Sequence, residues 1–164
     1  MPIPEYVRWL RSHVGQEPLW LVGAAAVVLR EIDGRQHVLL VHRADDREWA
    51  PVTGIVDPGE EPYVTAVREC WEEALVVAEV ERLVWVHVGP MVTYDNGDQA
   101  QYLEHTFRCH WVSGDGQIGD DESLEVRWWP VDALPDMQPR FGERVAVAVA
   151  DEPGVRLGLG GRLA

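Results

Sequence analysis

Apolar positions along the 164-residue chain change period several times, and each change marks an element. Near the start, Tyr6, Val7, Trp9, Leu10 and Val14 recur at helical spacing behind Pro4, whose missing N–H costs nothing in a first turn. A short amphipathic helix is predicted there. Residues 19–30 form a long apolar run, 38–41 are apolar again, and Asp33-Gly34 between them is a turn signal, so the segment predicts a hairpin. Pro51, Gly54, Pro58 and Gly59 make residues 48–60 a loop, and helical periodicity resumes from Pro62 to about Val76.

Residues 80–94, rich in Val and Trp, read as strand, bent or broken at Gly89-Pro90. Asp95-Asn96-Gly97 is a tight-turn signal that joins this strand to residues 99–112 in a second hairpin. A loop follows at 114–119 and a short strand at 124–129. Over 140–150 Val145, Val147 and Val149 alternate with alanine as a strand would, yet Pro139 and the alanine content favour helix. The Gly-rich end has little to bury and is expected to be a flexible tail.

Length and composition then set the domain count. With 46% hydrophobic residues the chain can fill one core but is too short for two ordinary domains. The expected division is a helix and lead-in over 1–18, one domain over 19–150 and the tail over 151–164. A net charge of −14 repels phosphate backbones and anionic membranes, so neither nucleic acid nor a membrane is expected as a partner. A small anionic substrate stays admissible where a divalent cation and local arginines reverse the field. Every basic side chain except histidine is Arg, a residue suited to forked phosphate contacts, but the bias is chain-wide and marks no site. Cys70 and Cys109 lack metal-ligand spacing and are expected to be free, buried thiols in a reducing compartment. No basic start leads into an apolar stretch, and a soluble cytoplasmic protein is the expectation.

The chemistry concentrates in the helix from Pro62. At about 100° per residue, Glu69, Glu72 and Glu73 fall within one arc, while Val64, Val67, Trp71, Ala74 and Leu75 fall opposite. The helix is expected to be apolar-backed and acid-fronted. Repulsion at this spacing costs only ~0.2–0.5 kcal/mol per pair, so the acidic face alone is also what an ordinary solvated helix shows. The loop ahead shifts the balance. Gly54 and Glu60 stand at fixed spacing from Arg68-Glu69 and Glu72-Glu73, and magnesium needs only a few carboxylates and a backbone carbonyl besides water and phosphate.

This segment resembles the Nudix box: Gly54, Glu60, Arg68, Glu69, Glu72 and Glu73 match in register, with Cys70 and Val76 at its apolar positions. Two residues depart from the pattern. Thr53 replaces the first glycine of a usual pair, and Leu75 stands where the family has a terminal glycine. Because glycine lets a chain leave a helix in a left-handed conformation, Leu75 implies a different exit, a longer helix that carries Leu75 into the core.

The resemblance implies an α/β/α sandwich with a mixed β-sheet between helices and a loop-helix-loop box. It implies Glu69 and Glu73 as the main metal ligands, Glu72 as a third ligand or proton acceptor, and the Gly54 carbonyl as a further ligand. Arg68 is then expected to pair with Glu60 and steady the cluster. The activity implied is magnesium-dependent hydrolysis of a diphosphate linkage in a nucleoside diphosphate joined to another group, with manganese as a substitute ion. Water attacks phosphorus in line, and Glu69, Glu72, or Asp121 or Glu122 from outside the box, takes the proton. Asp120, Asp121 and Glu122 also suit a solvated turn, and Glu104 is a further outer ligand candidate. Arg43, and less so Arg47, are candidates to reach a phosphate, and Trp49 or Tyr94 to stack on a base. The six histidines show no motif. The rival reading is a non-catalytic Nudix domain that binds a nucleotide as a regulator. The N-terminal helix is available to support a homodimer.

Overall fold

The apolar run after residue 18 becomes the spine of the sheet. In this computed structural model, which describes residues 3–159, α1 (Glu5–Val14) leads into β1 (Leu19–Ile32), and the Asp33-Gly34 turn returns the chain along β2 (Arg35–Arg43). Short strands β3 (Trp49–Ala50) and β4 (Val52–Ile55) precede α2 (Pro62–Ala74). After α2 come β5 (Val77–Val88), β6 (Val92–Thr93), β7 (Gln99–Ser113), β8 (Ser123–Pro130), α3 (Pro139–Ala150) and β9 (Arg156–Leu157).

β1 runs parallel to β7 from Leu19 to Leu29 and antiparallel to β4 and β2 on its other side, so the sheet is mixed. Its main path is β3-β2-β1-β7-β5-β9, with β4 on β1, β6 on β7 and β8 on β2. Alternation along β1 sends Ala24, Ala26 and Val28 to the α2 face, and Val27 and Leu29 to the α3 face. Both faces are covered, which explains why β1 reads as an unbroken apolar run rather than an alternating one. α1 packs through Val7 on Leu19, Leu21 and Ala100. The helices on both faces and the mixed sheet between them make an α/β/α sandwich.

Four expectations need correction. Residues 48–60 are not all loop: β3 pairs with β2 and β4 with β1, because the backbone groups of those strands needed partners. α2 is turned differently on its axis: its buried residues are Thr65, Ala66, Glu69, Cys70, Glu73 and Ala74, whereas Trp71 is 55% exposed. Ala66, Cys70 and Ala74 form a narrow stripe of small side chains that lets the helix lie close on Ala24 and Ala26, where an indole does not fit. The acidic arc is therefore carried partly under the helix. Nor does α2 lengthen at Leu75, which caps it at φ 51° and ψ 36°. Leucine takes the left-handed exit usually left to glycine, a conformation costing roughly 1–2 kcal/mol for a residue with a Cβ. Finally, the tail does not run free from residue 151: Trp85 and Val86 pair with Arg156 and Leu157, and the Trp85 indole N–H donates to the Gly158 carbonyl at 2.7 Å. That edge of β5 needed a partner for its backbone groups. Residues 160–164 of the predicted tail lie outside the described residues.

Candidate active site

The site begins where β4 passes α2. An ideal Cβ on Gly54 would stand 2.2 Å from Glu69 Oε1 and 2.4 Å from its Cδ and Cγ, so only a residue without a side chain leaves room for Glu69 at this crossing. Glu69 and Glu73, one turn apart, are each only 5% exposed. From the middle of the helix Arg68 reaches back to Glu60, donating from Nε to Oε1 at 2.9 Å and from Nη2 to Oε2 at 3.0 Å, a forked pair that Thr65 supports with a 2.7 Å hydrogen bond. The remaining Nη1 of Arg68 reaches Glu69 Oε1 and Glu72 Oε2, both at 2.8 Å.

The other wall is the loop before β8. Gln117 N–H donates to Ala74 O at 2.9 Å and Gly119 N–H to Glu73 O at 3.0 Å, so this loop satisfies the free carbonyls at the end of α2. A 2.7 Å bond from Ala44 N–H to Glu122 O ties its far end to the chain after β2. Asp120, Asp121 and Glu122 thereby line a cavity of about 390 Å³ with Trp71, Glu72 and Leu75. A larger cavity of about 520 Å³ lies at the other end of the box, between α1 and residues 56–60, away from Glu69 and Glu73. Gly119 makes the loop's approach possible, since a Cβ there would fall 2.0 Å from Glu72 O. Gly119→Ala is expected to displace the loop, break both capping bonds and cost roughly 2–3 kcal/mol at about 1 kcal/mol per bond plus strain. Wild-type urea stability in this variant would refute the packing described.

Electrostatics follow from burial. Two arginine contacts and Thr65 hold Glu60 down at about 2, with the Arg68 hydrogen bonds the main cause. Glu69 is pushed up to about 7 by burial, against Arg68 and with help from the charges of Glu72 and Glu122. Glu73 is pushed well above the ordinary carboxylate range by burial and then by Glu69 and Glu122, with Arg43 opposing. Glu122 is raised by burial and by Asp120. A carboxyl with a raised folded-state pKa stabilises the fold fully below its unfolded value near 4.5, and that contribution is lost as pH rises through the folded value. Metal-free protein should therefore lose melting temperature between about pH 5 and 7.5. Glu69→Gln should flatten this fall, and melting in EDTA across that range decides the matter. Glu60 acts with the opposite sign, its contribution present above about 4.5 and lost as pH falls toward 2.

The donor set suits a hard divalent cation. It consists of carboxylate and carbonyl oxygens, and its negative charges raise one another in a partly dry site. As the side chains stand, no three Asp, Glu, His or Cys groups among the described residues converge closely enough to cage an ion. Arg68 Nη1 draws Glu69 and Glu72 to itself, and Glu72, 48% exposed at its side chain, can turn from that contact at little cost.

Of the other sequence candidates, Arg43 is engaged by Asp45 at 2.5 Å and Asp46 at 3.4 Å and donates to Thr53 Oγ1 at 3.2 Å, within the field of Glu73. Arg47 offers its carbonyl to His42 from a left-handed turn. Trp49 stacks on His42 and meets Trp129 edge-on in the α3-side cluster, away from the carboxylates. Tyr94 is exposed, its hydroxyl 2.6 Å from that of Tyr102. Glu104 faces α3 and pairs with Arg144 at 3.1 Å, so it lies across the sheet from the box and is not an outer ligand there. Trp71, assigned to the core from the helical wheel, is instead the exposed aromatic beside Glu72. The small-residue spacing of Ala66, Cys70 and Ala74 was the signal for this turn of the helix. Cys70 and Cys109 are free and buried in one cluster.

A family description, the NUDIX domain, matches residues 20–149. A MutT-like protein of Streptomyces ambofaciens is 33% identical over 134 residues, covering 82% of this chain and 77% of that protein. A CMP-5'-(N-acetyl-N-hydroxy-3-aminopropyl)phosphonate hydrolase of Streptomyces rubellomurinus is 30% identical over 147 residues, covering 85% and 66%. Among solved structures, an ADP-ribose pyrophosphatase of Streptococcus suis superposes with a TM-score of 0.62 at 18% identity, covering 84% of this chain and 97% of that one.

Proposed function

This chain belongs to the NUDIX hydrolase family, and on that premise we propose that it hydrolyses, with magnesium, the diphosphate linkage of a nucleoside diphosphate joined to another group. The observation that carries the reading is the pair of buried carboxylates, Glu69, held against Gly54, and Glu73 one turn on, both faced by Glu122. Burying two such groups side by side has no structural benefit unless positive charge arrives to offset their repulsion. Glu69, Glu73 and the Gly54 carbonyl are the residues to hold a magnesium or manganese ion, with Glu72 joining them once turned from Arg68. Such an ion, when bound, neutralises diphosphate oxygens and lowers the pKa of a water.

The chain's own groups do the rest. Arg68, fixed by its fork to Glu60, orients Glu69 and Glu72. Glu122, whose pKa burial raises above the ordinary carboxylate value, and Glu72, partly open to solvent, are the candidates to accept the proton of the attacking water. Trp71 offers an apolar wall on the open side of the same cavity. The relative named as a CMP-phosphonate hydrolase supports a substrate in which a nucleotide phosphate is bonded to a second acidic phosphorus group.

The test is incubation of the protein with magnesium and a panel of nucleoside triphosphates, nucleotide sugars, ADP-ribose and dinucleoside polyphosphates, with product phosphates resolved by chromatography. Cleavage within a diphosphate, abolished by EDTA, is expected for at least one class. Tight binding across the panel without turnover would favour a regulatory domain.

A further inference from the structure

Across the sheet from the box, Arg140 Nε, Arg144 Nε and His87 Nδ1 are buried without a hydrogen-bond partner, and both Arg140 and His87 lie within the field of Arg144. Arg144 is only 4% exposed and holds Glu104 at 3.1 Å through Nη2, which leaves its Nε unused. Gly23 makes room for that carboxylate, since a Cβ there would stand 2.7 Å from Glu104 Oε2. Phe141 lies under both guanidinium groups, 4.5 Å from Arg140 and 5.8 Å from Arg144. Asp46 joins this cluster to the box side, 3.4 Å from Arg43 and 4.0 Å from Arg140.

Three carboxylates face these three arginines, but they are shared unequally. Arg43 takes Asp45 at 2.5 Å and the nearer share of Asp46, and Arg144 takes Glu104, so Arg140 keeps only the 4.0 Å contact. Burial and the neighbouring charges of Arg144 and Arg43 push the Arg140 guanidinium below its ordinary value. Two guanidinium groups that keep a buried Nε–H without an acceptor, one of them with only a 4.0 Å contact to a carboxylate, mark the place where a further acceptor is wanted. An unused guanidinium Nε–H suits a phosphate oxygen, which accepts several such donors at once.

We propose that Arg140 and Arg144, with Arg43 at the mouth, form an anion subsite on the α3 face that receives a phosphate group of the substrate beyond the linkage that is cut. Its place in the reaction rests on the hydrolase reading, but its existence does not. Arg43 connects the two, being within the field of Glu73 at one end and on Asp46 at the other.

The test is calorimetric titration with inorganic pyrophosphate at low ionic strength in EDTA. Wild type should bind, and Arg140→Gln should bind about tenfold more weakly, the loss of one charge-assisted hydrogen bond. Arg140→Lys, which keeps the charge without a guanidinium Nε, should weaken binding nearly as much. Arg35→Gln removes the same charge from an exposed pair with Asp132 and should retain wild-type affinity. Glu73→Gln, chosen to stop turnover, should not weaken binding, so a failure of hydrolysis and a failure of the subsite can be told apart. Equal affinity in Arg140→Gln and Arg35→Gln, or no binding by wild type, would overturn the proposal.

Discussion

Glu73→Gln should lower kcat/KM by about 10³-fold while leaving the fold intact, because it removes one buried charge and keeps the volume that packs there. The side chain is 5% exposed at the end of α2, and burial together with Glu69 and Glu122 already disfavours its ionised form. An amide of the same shape relieves that repulsion, so the metal-free variant should melt at or above the wild-type temperature. Turnover should move the other way. Losing a main anionic ligand forfeits several kcal/mol of stabilisation of transition-state charge, and each 1.36 kcal/mol is a factor of about ten. Glu72→Gln, at a half-exposed position, should cost less. Steady-state kinetics on any substrate found in the panel decides this, and a Glu73→Gln enzyme within threefold of wild type would remove the residue from the assigned role.

Gly54→Ala should produce the second largest effect, by geometry rather than charge. Its Cβ would meet not only the mobile Oε1 of Glu69 at 2.2 Å but also Cγ at 2.4 Å, so rotation at the tip of the side chain cannot relieve the clash. Either α2 moves away from β4 or Glu69 leaves its place. A shift of about 1 Å in a catalytic group can cost on the order of 10²-fold, and overpacking of this kind costs about 1–3 kcal/mol of stability. Gly59→Ala is the matched control: nothing lies within 4 Å of its Cβ, and its positive φ of 86° adds only local strain. Loss of activity at both positions alike would point to general loop damage, whereas wild-type activity in Gly54→Ala would show that the close approach is unimportant.

Much of the framework was legible because local signals and tertiary structure agree. Asp33-Gly34 sits at the turn joining β1 and β2, Asp95-Asn96-Gly97 joins β6 to β7, and Pro139 starts α3. The box residues were legible as a spaced set, and α2 with its flanking segments gathers them. What failed depended on long-range packing. The wheel of α2 counted Val64 and Trp71 as the apolar side, but the alanine-rich surface of β1 selects the face with the smallest side chains. Leu75 was expected to extend the helix. The chain must instead reverse into β5 at once, and the left-handed exit is taken despite its cost. Arg144 and Glu104 are far apart in sequence, and nothing in either segment announces their pairing. Residues 156–157 looked featureless, because a strand at a sheet edge needs only backbone groups to pair.

Glu69, Glu73 and their neighbours are proposed above as a seat for a divalent cation. Titration with manganese(II), followed by the loss of its free-ion electron paramagnetic resonance signal, tests that seat without any substrate. Saturable binding to wild type is expected, displaced by magnesium and weakened in Glu73→Gln by at least about tenfold, a change of about 1.4 kcal/mol or more. Binding of equal strength in wild type and Glu73→Gln, or no saturable binding in wild type, would contradict the proposal.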